Sequence, residues 1–175
     1  DCSNFDCSEV GANTVKLYVT DANSNVDSTT ATVTVLDTLN PTAIAQNITV
    51  YLDASGSASI TAADVDNSST DNCSTVTLAI DSSNFNCSEV GANTVKLYVT
   101  YPLYTADSTN ATVTVLDALN PTAITQNITV YLDASGSASI TAADLAHSST
   151  DNCSTVTLAI DSSNFHCFYV TAHTV

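Results

Sequence analysis

Cys87 opens the fourteen-residue run CSEVGANTVKLYVT, and Cys7 opens the same run 80 residues earlier. DNCSTVTLAIDSSNF begins at Asp71 and again at Asp151, and Asn40-Pro41 returns as Asn120-Pro121, at the same offset of 80. A fixed period of this kind means one structural unit repeated along the chain, each copy meeting its neighbours. The phase follows from LDTLNPTA (36–43) and LDALNPTA (116–123), where a strand-like run meets a proline. Proline fixes φ and removes a backbone donor, so a sheet ladder stops there. The expected division is residues 1–40 as the C-terminal part of one repeat, 41–119 as a complete repeat, and 120–175 as the N-terminal part of the next. The phase also predicts that the 175 residues are a stretch of a longer tandem array.

Within each copy, apolar residues alternate with polar ones, the signature of strands with one face in a core. Val15, Leu17 and Val19 alternate with Lys16 and Tyr18, and Ala31, Val33 and Val35 with Thr32 and Thr34. Ile48, Val50 and Leu52 alternate with Thr49 and Tyr51, and Val76, Leu78 and Ile80 with Thr77 and Ala79. Val, Ile and Thr dominate these runs and suit a pleated surface. Asp53–Ser57 reads as a hairpin loop with Gly56 at the position needing positive φ, and Glu89–Asn93 and Asp21–Asn25 read as further turns. Thr61–Asp64 admits one helical turn. Short strands without βαβ alternation predict an all-β fold: tandem immunoglobulin-like β-sandwiches with a period of 80 residues. The expected core comprises Val76, Leu78, Ile80, Val95, Leu97, Val99, Val113 and Val115, with Thr77, Lys96, Tyr98 and Thr114 facing outward.

The chain has 2 Lys+Arg against 18 Asp+Glu, a formal net charge of −16. Phosphate neutralisation needs cations, so neither nucleic acid nor an anionic membrane surface is a suitable partner. No apolar run is long enough to span a bilayer, so membrane insertion is not expected either. Spaced cysteines in a chain rich in Ser, Thr and Asn predict an extracellular location.

Cys73 and Cys87 flank one strand and its loop, and Cys153 and Cys167 repeat that spacing. With no Cys-x-x-Cys and no histidine at metal spacing, disulfides are favoured over free thiols or a metal site. The local spacing predicts Cys73–Cys87 and Cys153–Cys167 bonds inside their own domains, and leaves Cys7 to pair with a cysteine further upstream. Cys2 departs from the period, since Ser82 is its counterpart; a Cys2–Cys7 bridge is the alternative.

Asp21, Asn23, Asn25 and Asp27 place oxygen donors at alternate positions, like the first half of a calcium loop. Val26 stands where such a loop has glycine and Thr32 where it has glutamate. The rival reading is a turn in which Asp and Asn bond their own backbone. Asp64, Asp66 and Asp71 form a second acidic group, read as a solvated loop. Catalysis finds no support. His147, His166 and His173 each replace an asparagine of the preceding copy (67, 86 and 93), and no serine stands in a nucleophile-elbow context.

NPTAIAQNITVYLDASGSASITAADVDNSSTDNC, followed by FNCSEVGANTVKLYVTDANSN and ATVTVLD, resembles the hyalin-like (HYR-type) repeats of very large Bacteroidota surface proteins. Among these are gliding-motility adhesins exported by type IX secretion. The likeness spans essentially the whole chain. It is specific at Asn40-Pro41, Leu52–Thr61, Asp71–Cys73, Cys87–Thr100 and Thr112–Asp117. It implies an immunoglobulin-like sandwich at the cell surface, in a spacer or adhesive role, with copies of itself end to end and surface polysaccharide as partners. Bacteroidota O-glycosylation at Asp-Ser/Thr-X maps onto Ser28, Thr38 and Ser108. The chain departs from its own pattern where Tyr101, Tyr104, Phe168 and Tyr169 replace the smaller Asp21, Ser24, Ser88 and Glu89 of the preceding copy. The expectation is a non-catalytic structural or adhesive segment of an extracellular fibre, needing no cofactor. The alternative is a calcium- or carbohydrate-binding β-sandwich module appended to a secreted hydrolase.

Overall fold

The computed structural model describes residues 4–73, 75–101 and 105–167. Cys2, Pro102, Leu103, Tyr104, Phe168, Tyr169 and His173 lie outside them. The described chain is mostly β. Its strands are β1 (Gly11–Thr20), β2 (Val26–Val35), β3 (Ile48–Tyr51), β4 (Ser57–Ser59), β5 (Thr77–Ile80), β6 (Asn84–Asn86), β7 (Gly91–Thr100), β8 (Ala106–Leu116), β9 (Ser137–Ser139) and β10 (Asn164–His166). Single helical turns α1 (Ala62–Val65) and α2 (Ala142–Leu145) occupy the same place in successive copies. The sequence-predicted turn at Thr61 is therefore present. Thr61 and Asp64 close it by a reciprocal capping box, and Asp64 Oδ2 accepts from the Thr61 backbone N–H at 2.7 Å.

The strands form one four-stranded sheet in the order β3-β8-β7-β5 and three two-stranded sheets, β1-β2, β4-β6 and β9-β10. All the pairings of β1 with β2, β4 with β6, β5 with β7 and β9 with β10 are antiparallel. By backbone contact the chain divides into two compact units. One comprises Asp1–Thr49, Ile60–Ser83 and Ala92–Thr114; the other comprises Val50–Ser59, Asn84–Gly91 and Val115–Val175.

Alternation along β7 and β8 sets the core. Val95, Leu97, Val99, Val113 and Val115 are fully buried, Tyr98 and Thr77 are exposed, and Lys96 and Thr114 are half-buried on the outward side. Val76, Leu78 and Ile80, expected to be buried, are only half-buried, because β5 is the edge of its sheet and has a partner on one side only. Leu52, Ile60, Val65, Phe85 and Ala111 join the buried set.

Two turns differ from expectation. Asp53–Ser57 is tight, with Gly56 at φ +74°, yet it joins β3 to β4, which lie in different sheets. It is a crossover between sheets and not a hairpin loop. Glu89–Asn93 is not a loop either. Cys87–Glu89 forms a 3-10 turn and β7 starts at Gly91, whose φ of +122° absorbs the change of direction.

β1 and β2 keep their ladder to each other over ten residues, but their apolar side chains stay open to solvent. Leu17 has 59% of its surface exposed, whereas Leu97, in an identical ten-residue strand, has 0%. Leu132 is 39% exposed where Leu52 is 3%. Residues 128–131 and 157–160 form no strand, although they repeat the letters of β3 and β5.

Candidate functional site

Four cysteines form two disulfides, Cys7–Cys73 and Cys87–Cys153, each spanning 66 residues, with Cα separations of 4.9 and 5.1 Å. The local pairs Cys73–Cys87 and Cys153–Cys167 expected from spacing are not formed, and Cys7 finds its partner downstream. Cys167, expected in a disulfide, is a free and exposed thiol. In the phase set by Pro41 and Pro121, each bond joins the second cysteine of one copy to the first cysteine of the next. Each bond lies inside one compact unit, Cys7–Cys73 in the first and Cys87–Cys153 in the second, so a unit is built from two consecutive copies of the sequence repeat.

Each half of such a bond is a small polar turn. Cys7 and Cys87 are the first residues of 3-10 turns capped by Asp6 and Asn86. The Asp6 carboxylate accepts from the Ser8 N–H at 2.8 Å, and the Asn86 amide oxygen from the Ser88 N–H at 2.9 Å. Glu9 and Glu89 complete the boxes by accepting from the backbone N–H of Asp6 and Asn86. On the other side, Asp71 and Asp151 accept from the backbone N–H of Cys73 and Cys153, both at 3.1 Å. Asp-Asn-Cys is thus the shape of the acceptor turn: the aspartate bonds two residues ahead and presents the cysteine.

The second bond is also crowded. A Cβ on Gly56 would lie 2.6 Å from Cys87 Sγ and 3.1 Å from the Asn152 carbonyl oxygen, so only glycine fits there. Asn152 Nδ2 donates to the Asp53 carbonyl at 3.2 Å, tying the same turn to the next copy. In the third copy Gly136 keeps its φ of +77°, but the nearest atom to its Cβ position is Cys167 Cβ at 3.7 Å.

Among the described residues eight aspartates lie below the ordinary carboxylate range because they accept hydrogen bonds, seven of them within such turns. The Ser55 and Ser135 hydroxyls lower Asp53 and Asp133, and the Thr61 and Thr141 N–H groups lower Asp64 and Asp144. The Cys153 N–H lowers Asp151, Ser8 lowers Asp6, Asn25 lowers Asp21, and the Ala43 N–H lowers Asp107. The aspartates of this acidic chain are largely turn-closing groups.

Asp21, Asn23 and Asn25 do share one turn. Asp21 Oδ1 accepts from the N–H of Asn23 at 2.9 Å and of Asn25 at 2.8 Å, and Oδ2 from the Asn25 side-chain amide at 2.8 Å. Asp27 accepts from the Ser28 N–H at 2.8 Å. These are the self-bonds of an Asx turn, and Asn25 offers its N–H group, not its oxygen, toward Asp21. Among the described residues no cluster of three His, Cys, Asp or Glu is spaced to hold a metal. Thr38 and Ser108 are exposed and Ser28 is half-buried. His166 Nδ1 lies 3.2 Å from Ser137 Oγ, beside β9. Lys16 and Lys96 sit over their neighbouring tyrosine rings, 5.0 and 5.3 Å from the centroids of Tyr18 and Tyr98.

Periodicity carried the signal for strand faces and turns. It was silent on the direction of pairing, since Cys73 has one candidate partner on either side. Neither a scan of protein-family models nor a search of curated proteins finds a match to this chain. Two disulfides mark an oxidising, extracellular type of environment. Among the described residues no helix is long and apolar enough to cross a membrane.

Proposed function

We propose that this chain is a load-transmitting segment of a long extracellular fibre, built of immunoglobulin-like repeats and displayed at the cell surface in a structural or adhesive role. The observation that supports this most is that each disulfide links cysteines of consecutive copies of the sequence repeat, 66 residues apart, and closes one compact unit. A bond from one copy to the next shortens the length of chain that can be drawn out under tension. The free surface suits the same role, being acidic, built from Ser, Thr and Asn turns, and repellent to other acidic surfaces at a net charge of −16. Sugars on Thr38 and Ser108 would extend that hydrated surface. The chemistry is non-catalytic, and the partners are further copies of the repeat, with surface polysaccharide as the ligand class for adhesion. Labelling intact cells of the source with an antibody to the chain tests this. Label on the outside, removed by brief surface proteolysis, is expected; label reached only after permeabilisation contradicts the reading.

A further inference from the structure

The two disulfides route tension past most of the fold. Each closes a loop of 66 residues, and pulling along the chain cannot draw out what a closed loop contains. Cys7–Cys73 encloses β1, β2, β3, β4 and α1, and Cys87–Cys153 encloses β7, β8, β9 and α2. Val95, Leu97, Val99, Val113 and Val115, all fully buried, lie inside the second loop. The shortest covalent path from Cys7 to Cys153 therefore runs through one disulfide, the residues from Cys73 to Cys87, and the other disulfide. Among the described residues of that path the strands are β5 and β6.

We infer that residues 73–87 are the extensible link of the fibre, the stretch that yields under load, while the two closed loops are held out of the load path. This rests on the load-transmitting reading and names the part that bears the load. The chain passes between its two compact units at several points, and the step from Ser83 to Asn84 is the one that lies outside a closed loop. The grip on the link differs at its two ends. β5 pairs with β7 over four residues at the edge of its sheet, and Leu78 and Ile80 are only half-buried. β6 pairs with β4 over three residues, but its Phe85 is 3% exposed. An edge strand has one ladder to give up, so β5 peels first and the buried Phe85 holds longest. Fully drawn out, the fourteen residue steps from Cys73 to Cys87 span about 50 Å, and each closed loop withholds about 220 Å.

Single-molecule force extension of the whole chain, held at its two ends, tests the link. The unaltered chain is expected to keep both loops closed at any force that spares the disulfides. Cys87→Ser combined with Cys153→Ser should lengthen the fully extended chain by about 220 Å, and so should Cys7→Ser combined with Cys73→Ser. These lengths follow from the connections alone, so they stand whether or not a variant folds. Phe85→Ala removes a buried anchor and speeds local opening, so it should lower the force at which residues 73–87 are drawn out and leave the final length unchanged. Tyr131→Ser, inside the second loop on an 87% exposed side chain, should change neither. A final length for the unaltered chain equal to that of 175 open residues overturns the link, as does a gain of less than half the expected length for a removed pair. So does an unchanged force for Phe85→Ala or a lower force for Tyr131→Ser. Absence of label from the outside of cells would sink the fibre reading and leave these lengths as they are.

Discussion

β1 and β7 have the same ten residues, GANTVKLYVT, and β2 differs from the matching stretch of β8 only at Val26 and Thr30, where β8 has Ala106 and Asn110. Both fold as hairpin strands in the same alternation. Their side chains nevertheless live in different media: Val95, Leu97 and Val99 touch no solvent, while Val15, Leu17 and Val19 are open to it. Sequence settles which face of a strand is apolar. Neighbouring strands settle whether that face is dry. The comparison also runs the other way, since the letters of β3 and β5 make strands beside β7 and β8 and no strand at 128–131 and 157–160. In this molecule the central hairpin is the template and the outer strands depend on it.

Paired substitutions sharpen that contrast. The largest difference is expected at Leu97 and Leu17. Leu97→Ala removes a fully buried side chain and should cost about 3 kcal/mol, within the usual range for buried leucine. Leu17→Ala should change stability by no more than about 0.5 kcal/mol in the monomer, as exposed positions do. Chemical denaturation of the two variants measures both, and equal losses would break the comparison.

A middle-sized effect is expected at the two equivalent glycines. Any side chain at either position pays for a left-handed backbone, about 1–2 kcal/mol. Gly56→Ala must in addition push Cys87 Sγ away, whereas Gly136→Ala meets only ordinary contacts. Gly56→Ala should therefore lower the melting temperature more than Gly136→Ala does, and the gap should close when the disulfides are reduced.

The smallest contrast is in acid. Asp53 and Asp133 close the same turn in two copies, and both sit below the ordinary range for the same reason, the serine hydroxyl two residues ahead. Because the folded pKa is the lower one, each contributes stability that is complete above the unfolded value of about 3.9 and lost as pH falls through the folded value. Asp53→Asn and Asp133→Asn should thus weaken the chain at neutral pH and matter progressively less below about pH 4, by similar amounts. Acid titrations followed by circular dichroism would show this; a variant whose penalty grows in acid contradicts it.

Much of this was readable in the letters. Alternation gave the faces of β7 and β8 because a period of two has only one register that buries Val95, Leu97 and Val99 together. The single helical turn expected at Thr61–Asp64 is present, and the structure adds the capping pair that closes it. Ile60, Val65 and Phe85 did not show, since each is a lone apolar residue among polar ones and is buried by tertiary packing alone. The Asp53–Ser57 turn looked like a hairpin because turn chemistry is local, while the choice of sheet on either side is not. The calcium-like spacing of Asp21, Asn23, Asn25 and Asp27 turned out to be used within the turn, as Asp21 takes three donors from its own loop. The cysteines were the hardest. The thirteen residues between Cys73 and Cys87 suggest a local loop, but in an array the end of one copy lies beside the following copy, so the partner 66 residues away is the near one in space.

The pairing of cysteines from consecutive copies is the central claim, and peptide mapping of the unreduced chain by mass spectrometry tests it most directly. Closing a loop of 66 residues restrains the unfolded chain by about 4 kcal/mol in the chain-entropy model, so each bond stabilises the folded state. The expected map has Cys7 linked to Cys73, Cys87 linked to Cys153, and Cys167 recovered with a free-thiol label. Peptides linking Cys73 to Cys87 and Cys153 to Cys167 would contradict it.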